Sequence, residues 1–333
     1  MKTTTNYSSF KQAVLKSGIP LEKTVAQALH SLDIWESGEY FYERDGKLFS
    51  IDSKSVAHFS LDLDIERESD NIVDCYFSMN FLIECKYKEP NHRWVFASYQ
   101  HPKDEVPGHT YFDTFFLDDL LHDKLRKVGC VLKDKAAIDK AGSEISYGIN
   151  LDLGLSLVNT GVEILKNGFN PSVIKEALFQ VAYGMGNMIV DEVISYGQEK
   201  SYLIKLGSII YPIIVTTADL YVIKADQTVD TIRASKNQDE SFEKVGAVFY
   251  CLKPHLELQE HTRSKFLQHK SDILSSSYFS EAAFNVYVER RSWFHPAILI
   301  VNLTSFEKVV GEVSKKYRAS LDQVSGCILE LKE

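Results

Sequence analysis

The run Phe81-Leu82-Ile83-Glu84-Cys85-Lys86 decides how the chain is read: three apolar residues followed by an acid, a small residue and a base. In a β-strand side chains alternate between faces, so Glu84 and Lys86 project with Leu82 from one side, and Phe81, Ile83 and Cys85 from the other. Apolar residues on both faces predict a strand covered on both sides and open to solvent only at its C-terminal end, where a ligand would meet the acid and the base. The flanks agree. Lys88-Glu89-Pro90-Asn91 has the composition of a turn, and Arg93-Trp94-Val95-Phe96-Ala97 that of another strand.

With 333 residues, 44% of them hydrophobic, the chain is long enough for one large α/β domain or two ordinary ones and can bury a sizeable core. The longest apolar runs, 208–215 and 297–303, are too short to span a bilayer, and Met1-Lys2-Thr3-Thr4-Thr5-Asn6 contains no apolar signal core. The expectation is a cytoplasmic protein with no membrane partner. Five cysteines (Cys75, Cys85, Cys130, Cys251, Cys327) form no CxxC pair and no metal-ligand spacing, which predicts free thiols and makes Cys85 a small buried spacer. An excess of 46 acidic over 37 basic residues, for a net charge of −9, argues against a protein that coats nucleic acid by charge alone. It does not exclude DNA, because divalent cations in an acidic site reverse the sign of the local field.

Upstream, Ser17-Gly18-Ile19-Pro20 breaks the chain before Leu21, Val25, Ala28, Leu29 and Leu32, which recur at helical spacing. Glu22 lies in the first turn of this helix, either as an acid favoured by the helix dipole or as one aimed at a site. Next, 39–43 and 48–57 read as two antiparallel strands around the turn Arg44-Asp45-Gly46-Lys47. Asp52 falls inside the second of them, where aspartate is depleted, so it either points to solvent or has a task. The charged stretch 62–71 reads as a solvated loop before strand-like 73–77.

Downstream, 100–169 loses the strand rhythm and is read as an inserted subdomain. Asn170-Pro171-Ser172 opens a second helix, apolar over a wide arc from Val173 to Val193. Interior strands are expected at 209–223, interrupted at 216–219, and at 297–303. Between them lie a polar loop, 225–243, and a charged helical region, 257–274. An edge helix at 305–317 and a last strand within 323–331 close the chain. Gly184-Met185-Gly186-Asn187 sits in a helical pattern rather than a nucleotide-binding turn. There is no Walker loop, HExxH or Gly-x-Ser-x-Gly.

The order is a helix with Glu22, a hairpin whose second strand carries Asp52, a strand ending Glu84-x-Lys86, a buried helix and further strands. It resembles the PD-(D/E)XK nuclease superfamily, most clearly over 19–99. That resemblance implies a restriction-endonuclease-like fold, a mixed central sheet flanked by helices. Here it would be a single domain over 1–333, with its core at about 17–99 and 170–333 and the insertion at about 100–169. It implies Asp52 and Glu84 as metal-binding carboxylates, the Cys85 carbonyl as a third metal ligand, Lys86 as the basic residue beside the attacking water, which it orients, and Glu22 as an auxiliary acid. Gln180 and Tyr183 resemble a Gln…Tyr pair of one branch at a spacing one residue shorter, and Ile51 stands where the motif has proline. The implied activity is hydrolysis of phosphodiester bonds, with DNA as partner, magnesium (or manganese) as cofactor and a homodimer allowed. A role in host defence or DNA processing follows only by analogy.

Chemistry independent of the resemblance points the same way. Magnesium takes oxygen ligands, binds through one or two carboxylates plus a substrate phosphate, and activates water, a role open to Asp52 and Glu84. A lysine beside them can offset charge in the transition state. Against this stands the plainer reading of Glu84 and Lys86 as an ordinary ion pair, and the alternative function is a catalytically inactive binding or assembly module.

Overall fold

The computed structural model describes residues 7–61, 74–98, 112–113, 130–132, 153–197, 203–253, 255–275, 280–292, 297–325 and 328–330. The chain opens with helices α1 (Tyr7–Lys16) and α2 (Ile19–Ser31). Gly18 holds the N-cap of α2 at a left-handed φ of 85°, Pro20 occupies its first turn, and Leu21, Val25 and Leu29 are buried, four residues apart on one face. The hairpin β1 (Trp35–Arg44) and β2 (Lys47–Leu61) turns through Asp45 and Gly46 alone, both at positive φ (52° and 70°). This two-residue connection matches the right-handed twist of the strands. There follow β3 (Asp74–Lys86), β4 (Arg93–Ser98), the short β5 (Phe112–Asp113) and β6 (Cys130–Leu132), β7 (Ser156–Leu165), β8 (Gly168–Asn170) and the long helix α3 (Ser172–Gly197). Next come β9 (Leu203–Thr216), β10 (Asp219–Ile223), short helices α4 (Val229–Ala234) and α5 (Gln238–Ser241), and strands β11 (Phe242–Val245) and β12 (Ala247–Cys251). Helices α6 (Leu256–Gln268), α7 (Lys270–Ser275) and α8 (Glu281–Ser292) lead to β13 (Ala297–Asn302), helix α9 (Leu303–Ser325) and β14 (Ile328–Glu330).

One mixed sheet organises these elements in the order β1-β2-β3-β9-β13-β12-β7-β4-β10-β11, with β5 added at β9 and β8 at β7. The strands β1, β2 and β3 form an antiparallel meander, and after α3 the chain returns as β9, parallel to β3. Only Thr217 and Ala218 separate β9 from β10, yet four strands lie between those two in the sheet. In a flat sheet they would be roughly 24 Å apart, beyond the roughly 11 Å reach of three peptide steps, so the sheet curls back on itself.

Helices cover both faces. On one, α2 and α9 pack Leu21, Val25, Leu29, Phe306, Val310 and Tyr317 against Phe77, Phe81, Ile83 and Tyr211. On the other, α3 packs against Leu82, Phe96, Ile210, Ile214 and Ile300, with Phe266 of α6 and Phe284 of α8 in the same core. Among the described residues no helix is long and apolar enough to cross a membrane.

At three places the structure adds to the sequence reading or differs from it. The stretch 100–169 was expected as an insertion. Most of it lies outside the described residues, but β7 at its end is an interior strand, parallel to β12 and antiparallel to β4, with Val158 in the core. Its Asn159-Thr160-Gly161 centre hides it from a hydrophobic pattern, because here a close neighbour, and not an apolar side chain, fills the space. The helix expected at an edge over 305–317 instead forms a covering layer over 303–325, its Phe306, Val310, Val313 and Tyr317 all buried. The apolar Ala247–Cys251, buried at every residue, is a further interior strand that no periodicity marks over five positions. The loop expected at 62–71 lies outside the described residues.

A Cβ placed on Gly161 would stand 2.6 Å from Cδ1 of the fully buried Phe96. Gly161→Ala is therefore expected to lower stability by about 1–3 kcal/mol through overpacking, read from the midpoint of urea unfolding. An unchanged midpoint would show that the Phe96 ring has room to give way.

Candidate active site

The β2–β3 ladder runs in register from Leu61↔Cys75 to Ser53↔Ile83 and stops there, immediately before Asp52 and Glu84. On the other side of β2, pairing steps from Gly38↔Lys54 to Tyr40↔Ile51, so Asp52 and Ser53 together face the single residue Glu39. This is a β-bulge, which bends the strand and re-aims a side chain. The packing records it: Ile51 belongs to the α3 core while Ala57 and Phe59 belong to the opposite one, although strict alternation would put all three on one face. Freed from the ladder, Asp52 accepts a hydrogen bond on Oδ2 from the Cys85 main-chain N–H at 2.6 Å.

Glu84 is 1% exposed, on the α3 side of β3 with Leu82. Its Oε1 accepts from Lys86 Nζ, while Oε2 is buried without a hydrogen-bond partner. From α3, Gln180 reaches the same place: its Oε1 is 3.5 Å from Lys86 Nζ, and its Nε2 donates to the Ser50 carbonyl at 2.7 Å. The Tyr42 hydroxyl donates to the Gln180 carbonyl at 3.1 Å, fastening this turn of helix to the hairpin. Lys86 is anchored through its own carbonyl, which accepts from Thr216 Oγ1 of β9 at 2.9 Å.

Burial dominates the electrostatics. It pushes the Glu84 carboxyl up to about 7 against the opposing pull of Lys86, and the Asp52 charge adds to the rise. Burial raises Asp52 as well, opposed by the Cys85 N–H and by Lys86. Glu22 is raised by partial burial, then by Asp52, Glu39 and Glu36. These are groups held together at some cost to their charged forms, the condition in which a cation is favoured.

The structure thus gathers Asp52, Glu84 and Lys86 at the exposed end of β3. Glu22 approaches from the α2 layer, within electrostatic reach of Asp52. The Cys85 thiol turns the other way, into the α2–α9 core, where burial raises it well above the usual thiol range, so only the main chain of Cys85 faces the carboxylates. Gln180 joins the group and Tyr183 does not, its ring lying under the Arg44 guanidinium at 4.0 Å. Ser50 and Tyr42 complete the surroundings, and neither carries a sequence signal, since one acts through its carbonyl and the other reads as a core aromatic.

Among the described residues no three or more His, Cys, Asp or Glu side chains are arranged to hold a metal ion. Two carboxylates, one with a buried oxygen lacking a partner, do suit an ion that binds through one or two carboxylates and retains its waters.

A carboxyl raised from 4.5 to about 7 on folding binds more protons in the native state between those values, so its contribution to stability falls as pH rises through that window. Without metal, Glu84→Gln is expected to remove a loss of about 3 kcal/mol between pH 4.5 and 7, seen as a flatter stability profile in urea titrations. Parallel profiles for the two proteins would show that Glu84 titrates normally. Comparison with known proteins gives no match to a family model, to a curated sequence or to a solved structure.

Proposed function

We propose that the chain is a magnesium-dependent nuclease that hydrolyses phosphodiester bonds, with DNA as substrate. The observation that carries this reading is the buried Glu84 carboxyl, its Oε1 on Lys86 and its Oε2 short of a full hydrogen bond, close enough to Asp52 to feel both its charge and its main-chain N–H. A buried carboxylate oxygen without a donor costs free energy, and a cation there removes the cost.

The arrangement of elements supports the resemblance to the PD-(D/E)XK nucleases. Helix α2, the meander β1-β2-β3, helix α3 and the parallel β9 stand in the order of that fold, with Asp52 on the second strand and Glu84-x-Lys86 at the end of the third. Asp52 and Glu84 would hold the ion, with the Cys85 carbonyl as the implied third ligand. When bound, magnesium would make a coordinated water more acidic than free water and would supply positive charge beside the scissile phosphate. Lys86, held by Glu84 and Gln180, would orient an attacking water and offset charge on the phosphate in the transition state. Glu22 adds negative charge from the α2 side without joining the ligands. The rival reading, a binding or assembly module, draws on the Glu84–Lys86 ion pair, which needs no metal to be stable.

Incubation with single-stranded and plasmid DNA in magnesium or manganese tests the proposal. Cleavage is expected, abolished by chelation and by Asp52→Ala. Lys86→Ala should retain metal binding by calorimetry yet lose about a hundredfold or more in single-turnover rate. Full-rate cleavage by Lys86→Ala would return Lys86 to a structural pair, and DNA binding without cleavage in any metal would favour the module.

A further inference from the structure

Beside Gln180 the surface opens into a cavity of about 460 Å³ between the β1–β2 hairpin, the first turns of α3 and the start of α6. Its walls are aromatic. Tyr42 and Phe49 stack at 5.6 Å between ring centroids and 19° between planes, and Phe179 packs against the edge of His255 at 4.9 Å. The Arg44 guanidinium, lying over Tyr183, and Lys175 supply positive charge, offset by Glu176 and Glu257. His255 Nδ1 in this lining is buried and has no hydrogen-bond partner. The cavity adjoins the candidate active site through Gln180, which lines it and also approaches Lys86, while Tyr42 holds Gln180 in place.

Aromatic faces with a few cations and unmet polar atoms are the chemistry that receives a nucleobase. Every base offers a face for stacking, and its edge offers hydrogen bonds. A base paired inside a duplex has no free face to give. The balanced charges of the cavity, on a chain of net charge −9, also lack the continuous positive track by which a duplex backbone is held. One unstacked nucleotide next to the phosphate at Asp52, Glu84 and Lys86 meets both conditions. We infer that this cavity binds a nucleobase of a single-stranded nucleic acid, flanking the phosphate to be cut, and so selects single strands or frayed ends over intact duplex. The inference rests on the nuclease reading for the neighbouring phosphate but not for the binding itself.

The test is fluorescence anisotropy of the full chain with labelled short oligothymidylate, oligouridylate and a duplex of matched length, with EDTA present so that nothing is cut. The single strands are expected to bind at least tenfold more tightly than the duplex, and a difference between the two single strands assigns the sugar. Phe49→Ala and Phe179→Ala should each weaken single-strand binding roughly tenfold, as loss of a stacking partner does. Phe49→Tyr and Phe179→Tyr, which keep a ring, should restore it and so exclude misfolding as the cause. Duplex binding as tight as single-strand binding, or alanine variants that bind like the wild type, would overturn the inference. A parallel assay in magnesium separates it from the proposed activity. If the alanine variants cut single strands as fast as the wild type, the cavity is overturned and the nuclease kept, whereas ring-dependent binding without cutting in any metal keeps the cavity and overturns the nuclease.

Discussion

A carboxylate buried at the end of β3 is the constraint around which the rest of the site is arranged. Glu84 has lost nearly all its contact with water, and an isolated charge in that position is costly unless something else compensates it. Lys86, two residues on along the same face, meets one oxygen. The other is left open, and burial together with the Asp52 charge holds the group near neutrality. A purely structural strand end would gain stability from an apolar residue here. A carboxyl that burial raises this far, with a second acid and a lysine beside it, is what gives the functional reading its force, since such perturbed groups cluster at functional sites.

The position of Glu84 along β3 depends in turn on how β3 is registered against its neighbours, and polar groups beneath α3 help to define it. Asn80 donates to Ser208 Oγ of β9 at 2.8 Å, and Ser78 donates to the same oxygen at 3.1 Å. Further along, Lys205 of β9 is ion-paired with Glu192 of α3, both largely buried. Ion pairs of this kind contribute little net stability, but any slip of β3 or α3 would leave these groups buried and unpaired. One end of α3 is thereby tied to β9 through Glu192, and the other brings Gln180 to Lys86.

The bulge at Asp52 has the complementary effect. It turns one residue out of the ladder at the place where β2 and β3 part, and lets the Cys85 amide, which would otherwise seek a carbonyl across the strand, bind a carboxylate instead. The candidate site is therefore open between the two helical layers, with Glu22 on the α2 side and Gln180 on the α3 side. The aromatic cavity adjoins it on the α3 side alone, because there the hairpin turns Tyr42 and Phe49 toward the helix.

By itself the sequence determined the elements whose pattern repeats over enough residues to be read. These include α2 from Leu21, Val25 and Leu29, the hairpin from its Asp-Gly turn, and α3 from a long apolar arc. The alternation in 81–86 also made Glu84, Lys86 and Leu82 face-mates. It also singled out Asp52 as an oddity in a strand and Glu22 as an acid in a first turn. Only the tertiary structure decided what those residues meet. The bulge is invisible in one strand because it is a property of pairing, two residues against Glu39. The burial of β7 depends on Phe96 filling the space above Gly161, and no property of 156–165 alone announces that neighbour. Gln180 and Tyr183, three residues apart on one helix, part company because β3 lies under the first and Arg44 over the second. Gln180 meets a lysine 94 positions away, and local periodicity carries no information about such a partner.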